Sequence, residues 1–125
     1  MKTKKRTPAS ESSSITAILL EFPELCYEGF GRTRSMSDDD FCKSRGKLAD
    51  SRSQLEDCEK WIAANCSKRK TINRGPSSYG FKHQIERDVG IYISNGVCIA
   101  AFLMAGYSFV SFGLNCWFNA SLSAK

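Results

Sequence analysis

The stretch "YISNGVCIAAFLMAGYSFVSFGLNCWF", residues 92–118, contains no Asp, Glu, Lys or Arg, so it raises the choice between a membrane span and a buried core. The uncharged residues 97–114 reach the lower length limit of a transmembrane helix, about 17 residues. Gly106 and the polar residues after it interrupt the run, so a continuous apolar helix would cover about 14 Å, half of a bilayer core. We therefore expect a buried core helix, with a single-pass span near residues 97–114 as the alternative.

Helix signals flank this segment on both sides. Ser94 is an N-cap residue and Gly106 a stop signal, which together predict a short helix ending near residue 105. Before it, residues 78–89 place apolar side chains on one helical face and end at Gly90, a typical C-cap.

Two more helices are expected between residues 37 and 66. Ser37 and the three Asp residues after it form a helix start, and apolar residues recur every seven positions from Phe41. A capping-box pattern at residues 53–56 suggests a break near residues 50–52, with one long helix as the alternative. Residues 14–22 suit either a short strand or one to two helical turns.

These patterns predict a mainly α fold, a single small domain of four to five short helices around a buried apolar C-terminal helix. The polar, Ser-rich residues 1–13 are interpreted as a mobile basic arm, and residues 14–125 as the helical domain.

Six cysteines and a net charge of +5 bear on compartment and partners. No export signal precedes the cysteines, so we expect a cytoplasmic protein with free, mostly buried thiols. Zinc is the alternative, but the chain has no C-x₂-C pair and only one histidine. We predict no metal and no cofactor.

The densest positive charge lies in "SKRKTINR", residues 67–74, which we interpret as an exposed loop. Its basic residues would contact phosphate groups without reading base sequence, and the helix start after it adds free backbone N–H groups. Tyr79 beside it could stack on a base, although an aromatic residue at helical spacing is more often core. The predicted binding residues on this surface are Lys68, Arg69, Lys70, Arg74, Tyr79, Lys82 and His83.

His83 and Glu86 lie one helical turn apart, a spacing that suits either a general base with its orienting carboxylate or a structural pair. No nucleophile motif accompanies them, so we predict no catalytic residue and no enzyme. Residues 78–89 and 95–105 also have the outline of a helix-turn-helix, but the second helix lacks the polar face that reads DNA.

The spacing S-Y-G-x-K-H-x-x-E, then Y-x-x-N-G-x-x-I-A-A, G-[FY] and N-x-x-F-N, spans about residues 71–119. It resembles a family of small uncharacterised proteins of bacterial plasmids, integrative elements and prophages. That resemblance implies a soluble protein of a mobile genetic element and transfers no activity. Its matching residues here are Ser78, Tyr79, Gly80, Lys82, His83, Glu86, Tyr92, Asn95, Gly96, Ile99, Ala100, Ala101, Gly106, Tyr107, Asn115, Phe118 and Asn119.

Together, these observations predict a non-enzymatic accessory protein of a mobile genetic element. Its expected partner is nucleic acid or an acidic surface of a nucleic-acid-handling host protein, bound through the basic loop. The alternative class is a single-pass membrane protein with a cytosolic helical head.

Overall fold

The computed structural model describes residues 14–122, which form five helices and two antiparallel sheets. The predicted arm at residues 1–13 lies outside the described residues. In chain order the elements are α1 Ile15–Glu21, β1 Leu25–Cys26, β2 Gly29–Phe30, α2 Asp38–Ala49, α3 Arg52–Asn65, β3 Cys66–Asn73, α4 Ser78–Val89, α5 Asn95–Met104, β4 Phe109–Phe112 and β5 Asn115–Leu122.

The prediction of a mainly α fold is wrong, because the chain is mixed α/β. Its larger sheet has the strand order β3-β5-β4, so the strand latest in sequence occupies the centre. The pairing joins Cys66 to Leu122 on one side of β5 and Phe109 to Phe118 on the other. Such contacts between distant segments leave little local trace in the sequence, and the basic run taken for a loop is in fact strand β3.

Helix α5 is the centre of the core, as the sequence predicts. All ten of its residues are buried, and helices α1, α3 and α4 and strand β5 pack around it. The uncharged residues 97–114 divide into this helix, a turn and strand β4. Within residues 14–122, no helix combines the length and apolar character that a bilayer crossing requires.

Several predicted helix boundaries are confirmed. Ser37 and Asp40 form a reciprocal capping box at the start of α2, and Ser94 Oγ accepts a hydrogen bond from Val97 N at 3.0 Å. Gly90 ends α4 in the left-handed conformation with φ of 85°. The predicted break near residues 50–52 is confirmed, because α2 ends at Ala49 and α3 begins at Arg52. The capping box predicted at residues 53–56 is wrong, because the N-cap residue of α3 is Ser51.

The hairpin β1–β2 lies directly against the start of α5. Gly96 N donates a hydrogen bond to Tyr27 O at 3.1 Å, and a Cβ added to Gly96 would lie only 2.6 Å from that oxygen. The absence of a side chain at Gly96 therefore lets the hairpin backbone approach the helix closely.

Candidate functional site

Strand β3 carries the basic residues of the candidate binding surface. Lys68, Arg69 and Lys70 are exposed on this edge strand, and Arg74 follows its last residue. Because neighbouring side chains leave a strand on opposite faces, Lys68 and Arg69 diverge. The four predicted charges therefore do not share one face.

The basic side chains on the two faces of β3 make different contacts. Lys68 pairs in register with the buried Ala120, and its Nζ lies 5.4 Å from the ring centroid of Tyr107. Arg69 Nη2 instead donates a hydrogen bond to Thr71 Oγ1 at 3.1 Å. Asn119 Nδ2 donates to Arg69 O at 2.9 Å, which ties the backbone of β3 to the central strand.

The outer face of the sheet carries a pair of aromatic rings beside Arg74. Trp117 lies between the buried residues Cys116 and Phe118, so strand alternation places it away from the core. Its ring stacks on Phe112 with 4.0 Å between centroids, and the guanidinium carbon of Arg74 lies 4.7 Å from the Trp117 centroid. This arrangement is the cation–π geometry that arginine commonly forms.

Our sequence reasoning missed Trp117 and Phe112 as candidate site residues. In the structure, Cys116, Phe118 and Ala120 are buried and the residues between them are only partly buried, which places Trp117 on the face opposite the core. The sequence carries no such signal, because Cys116, Trp117 and Phe118 are consecutive apolar residues that do not alternate with polar ones.

Tyr79, Lys82 and His83 form a second group on the first two turns of α4. Tyr79 is 53% exposed and meets the His83 ring edge-to-face at 4.4 Å between centroids. Lys82 is buried, and its Nζ lies 3.2 Å from Glu86 Oε2. The structure thus brings these three predicted residues together, but on a different element from the basic strand.

Glu86 joins this group to the start of α5. Its Oε2 accepts a hydrogen bond from Ile93 N at 3.0 Å, and its Oε1 lies 3.2 Å from His83 Nδ1. Burial acts to raise the pKa of Glu86, but the bonds from Ile93 and Lys82 outweigh it, so the pKa lies below its ordinary value. Such a carboxylate is a weak base, and it holds the backbone of Ile93 and the side chain of Lys82 in place. Both properties favour the structural interpretation of the His83–Glu86 pair.

A cleft of ≈ 340 Å³ opens beside this group. Its polar and aromatic lining comes from the turn of the β1–β2 hairpin, from α4, from the link between α4 and α5, and from the starts of α5 and β5. Those residues are Glu28, Tyr79, Lys82, Tyr92, Asn95 and Asn115.

Our sequence reasoning did not assign Tyr92, Asn95 and Asn115 to a site, although all three belong to the spacing pattern quoted above. These residues belong to different segments of the chain, so the sequence alone did not show that the fold brings them together. Within the described part of the chain, no group of His, Cys, Asp or Glu residues is arranged to hold a metal ion.

No protein-family model matches the chain, and no curated protein or solved structure shows significant similarity to it.

Proposed function

We propose that this protein binds single-stranded nucleic acid through β3 and the outer face of its sheet. The observation that carries the proposal is the position of Arg74 over Trp117 at the end of a strand that bears three further exposed basic residues. Proteins that bind single strands commonly combine a positively charged track for phosphates with aromatic rings for bases.

A single strand suits this surface better than a duplex. The bases of a single strand are free to stack on the planar guanidinium group of Arg74, which lies over Trp117, whereas those of a duplex are already paired and stacked. Arg69 and Arg74 would contact phosphates on the outer face, and Lys68 and Lys70 would add charge along the strand edge. Contacts of this kind provide affinity without sequence preference.

The proposal assigns no chemical step to the protein. The lowered pKa of Glu86 and its bond to the backbone of Ile93 support a structural role for the His83–Glu86 pair. An accessory role on a mobile genetic element is part of the proposal, and its support is the resemblance in residues 71–119.

Fluorescence polarisation with labelled single-stranded and duplex oligonucleotides tests the proposal. We expect tighter binding to the single strand, with a log–log salt slope of about −2 to −3 for three or four phosphate contacts. Trp117→Leu should weaken single-strand binding by about 5- to 150-fold, the range of one lost stacking contact.

A charge-matched pair of variants locates the surface. Arg69→Glu with Lys70→Glu should abolish binding while the thermal transition is retained. Arg52→Glu with Lys60→Glu changes net charge equally at exposed positions of α3 and should change affinity far less. If the wild type binds neither DNA nor RNA at low salt, nucleic acid is rejected and an acidic protein surface becomes the leading partner.

A further inference from the structure

Strand β3 is interrupted by a long bulge. Its regular pairing with β5 stops at Lys68 and resumes at Asn73. Asn119 alone spans this interval on β5, so residues 69–72 of β3 oppose a single residue. A bulge leaves its extra residues out of the ladder and re-aims their side chains. Two of the predicted binding residues, Arg69 and Lys70, therefore lie in the bulge and not in a regularly paired strand.

Two asparagine side chains hold the two ends of this bulge. Asn119 Nδ2 donates to Arg69 O at 2.9 Å, and its Oδ1 accepts a hydrogen bond from Ser108 N at 2.7 Å. At the other end of the bulge, Asn73 Nδ2 donates to Ala120 O at 2.9 Å. The shape of the bulge is therefore fixed by side-chain hydrogen bonds that replace the missing ladder positions.

The bulge carries positive charge that no carboxylate of the sheet neutralises. Arg69 and Lys70 are exposed, and β3, β4 and β5 contain no Asp or Glu. Arg69 Nη2 donates to Thr71 Oγ1 at 3.1 Å, so its guanidinium group is held at the bulge itself. A guanidinium group has further N–H donors in a planar fork, an arrangement that matches the oxygens of a phosphate.

Protection of the sheet edge accounts for these charges but not for the fixed shape of the bulge. Charge and irregular pairing discourage an edge strand from pairing with other chains, and neither needs a defined geometry. A binding site does benefit from one, because a preorganised element loses less conformational freedom when the ligand binds. The hydrogen bonds of Asn119 and Asn73 provide this geometry where the positive charge of the chain is densest.

We infer that the bulge at residues 69–72 binds one phosphate group of the single strand, and that Asn119 is a positioning residue for this contact. Arg69 and Lys70 contact the phosphate oxygens, whereas Asn119 acts only through the backbone of Arg69. This inference rests on the proposed function and deepens it. It places one phosphate contact in a preformed element, and it adds a neutral residue to those on which binding depends.

Asn119→Ala tests the inference, because it removes the bond to Arg69 O and changes no charge. Loss of one phosphate contact should make the log–log salt slope of oligo(dT) binding less steep by about 0.7. The same loss corresponds to binding about 4-fold weaker at about 150 mM salt and about 8-fold weaker at about 50 mM. Asn65→Ala is the matched control, since Asn65 Nδ2 also donates to a backbone oxygen, that of Trp61, at 2.9 Å. It should leave the slope and the affinity unchanged.

The salt slope separates a positioning role from a merely structural one. If Asn119→Ala lowers the melting temperature but keeps the wild-type slope, the inference is overturned while the proposed function stands. If that variant does not fold, Asn73→Ala takes its place, because it releases the other end of the bulge. Asn73→Ala should give the same change in slope, and an unchanged slope would overturn the inference.

If the wild type binds no oligonucleotide, the proposed function fails and the bulge is tested separately. Amide NMR shifts are then followed during titration with tripolyphosphate, with sodium chloride at equal ionic strength as the control. Shifts at residues 69–72 and Asn119 that exceed those in sodium chloride would support a phosphate site in the bulge. Equal shifts with the two salts would overturn it.

Discussion

At the scale of single residues, Gly96 shows how closely the backbone is packed at the start of α5. Its amide bonds to Tyr27 O, and an added Cβ would lie 2.6 Å from that oxygen. The atoms nearest to the added Cβ are the backbone carbonyl oxygens of Cys26 and Tyr27, so relief of the clash would require backbone movement. The position therefore accepts glycine alone.

We expect Gly96→Ala to lower the free energy of unfolding by at least about 2 kcal/mol, because it overpacks a backbone contact. Gly46→Ala is the matched control, since Gly46 lies in α2 with no atom within 4 Å of an added Cβ. The control should raise stability by about 0.5–1 kcal/mol through its better helix propensity. Urea denaturation measures both changes, and equal stability of the two variants would contradict the described contact.

At the scale of elements, Arg45 on α2 fastens the segment that follows α1. Its Nη2 donates to Leu19 O at 2.7 Å, and its Nη1 lies within 3.1 Å of the carbonyl oxygens of Phe22, Pro23 and Leu25. These carbonyls belong to the end of a short helix, the turn after it and the first residue of β1, where the chain provides few partners of its own. One guanidinium group thus replaces a regular cap.

Arg45→Met keeps the apolar stem of this side chain and removes its donors. We expect a loss of about 1.5–3 kcal/mol in the free energy of unfolding, because four carbonyl groups, three of them partly buried, lose a charged donor. Lys43→Met, at an exposed position paired with Asp39, should change stability by less than about 0.5 kcal/mol. Thermal denaturation followed by circular dichroism compares the variants, and a wild-type transition for Arg45→Met would show that these bonds contribute little.

Helices α2 to α5 could be predicted from sequence because their signals are local. Caps such as Ser37 and Ser94, and the stop at Gly90, lie within a few residues of the turns they define. Strand β3 could not be predicted in this way, since its residues after Cys66 are polar apart from Ile72 and are mostly exposed. Its structure depends on β5, and only the folded chain brings that strand alongside.

The candidate site likewise contains some residues that local sequence patterns identify and others that they do not. The sequence identified the charges from Lys68 to Arg74 because they are contiguous, and it identified Lys82 and His83 because they share one helical turn. Trp117 and Asn95 lie far from both groups along the chain. Their relation to the site depends on the position of β5 in the sheet, which no local pattern revealed.

At the scale of the whole molecule, the core encloses five of the six thiols. Cys26, Cys58, Cys66, Cys98 and Cys116 are buried and Cys42 is exposed, and none of the six is bonded to another. Burial, with smaller contributions from Asp57 and Glu59, raises the pKa of Cys58 to about 12, and burial raises that of Cys66 to about 11. The thiolate is the reactive form of cysteine. Cys58 and Cys66 are therefore protected twice, because the core excludes reagents and because their raised pKa keeps them protonated.

We expect one thiol, Cys42, to react rapidly with a disulfide reagent at pH 8 in the native protein. In denaturant without reductant, all six should react. Cys42→Ser should remove the rapid phase and leave five thiols that appear only on unfolding. More than one rapid thiol in the wild type, or fewer than six after denaturation, would contradict this description of the core.

The central position of β5 also affects how the chain acquires its structure. Asn119 bonds to the backbone of Arg69, 50 residues away, so β3 finds its partner only after a large loop closes. Local helices form faster than such pairings, which leaves β3 as an unpaired edge during folding. An unpaired edge invites association with other chains, and closely spaced lysines and arginines discourage it through mutual repulsion. The charges on β3 are therefore expected to act before the native state exists, by keeping partly folded chains apart.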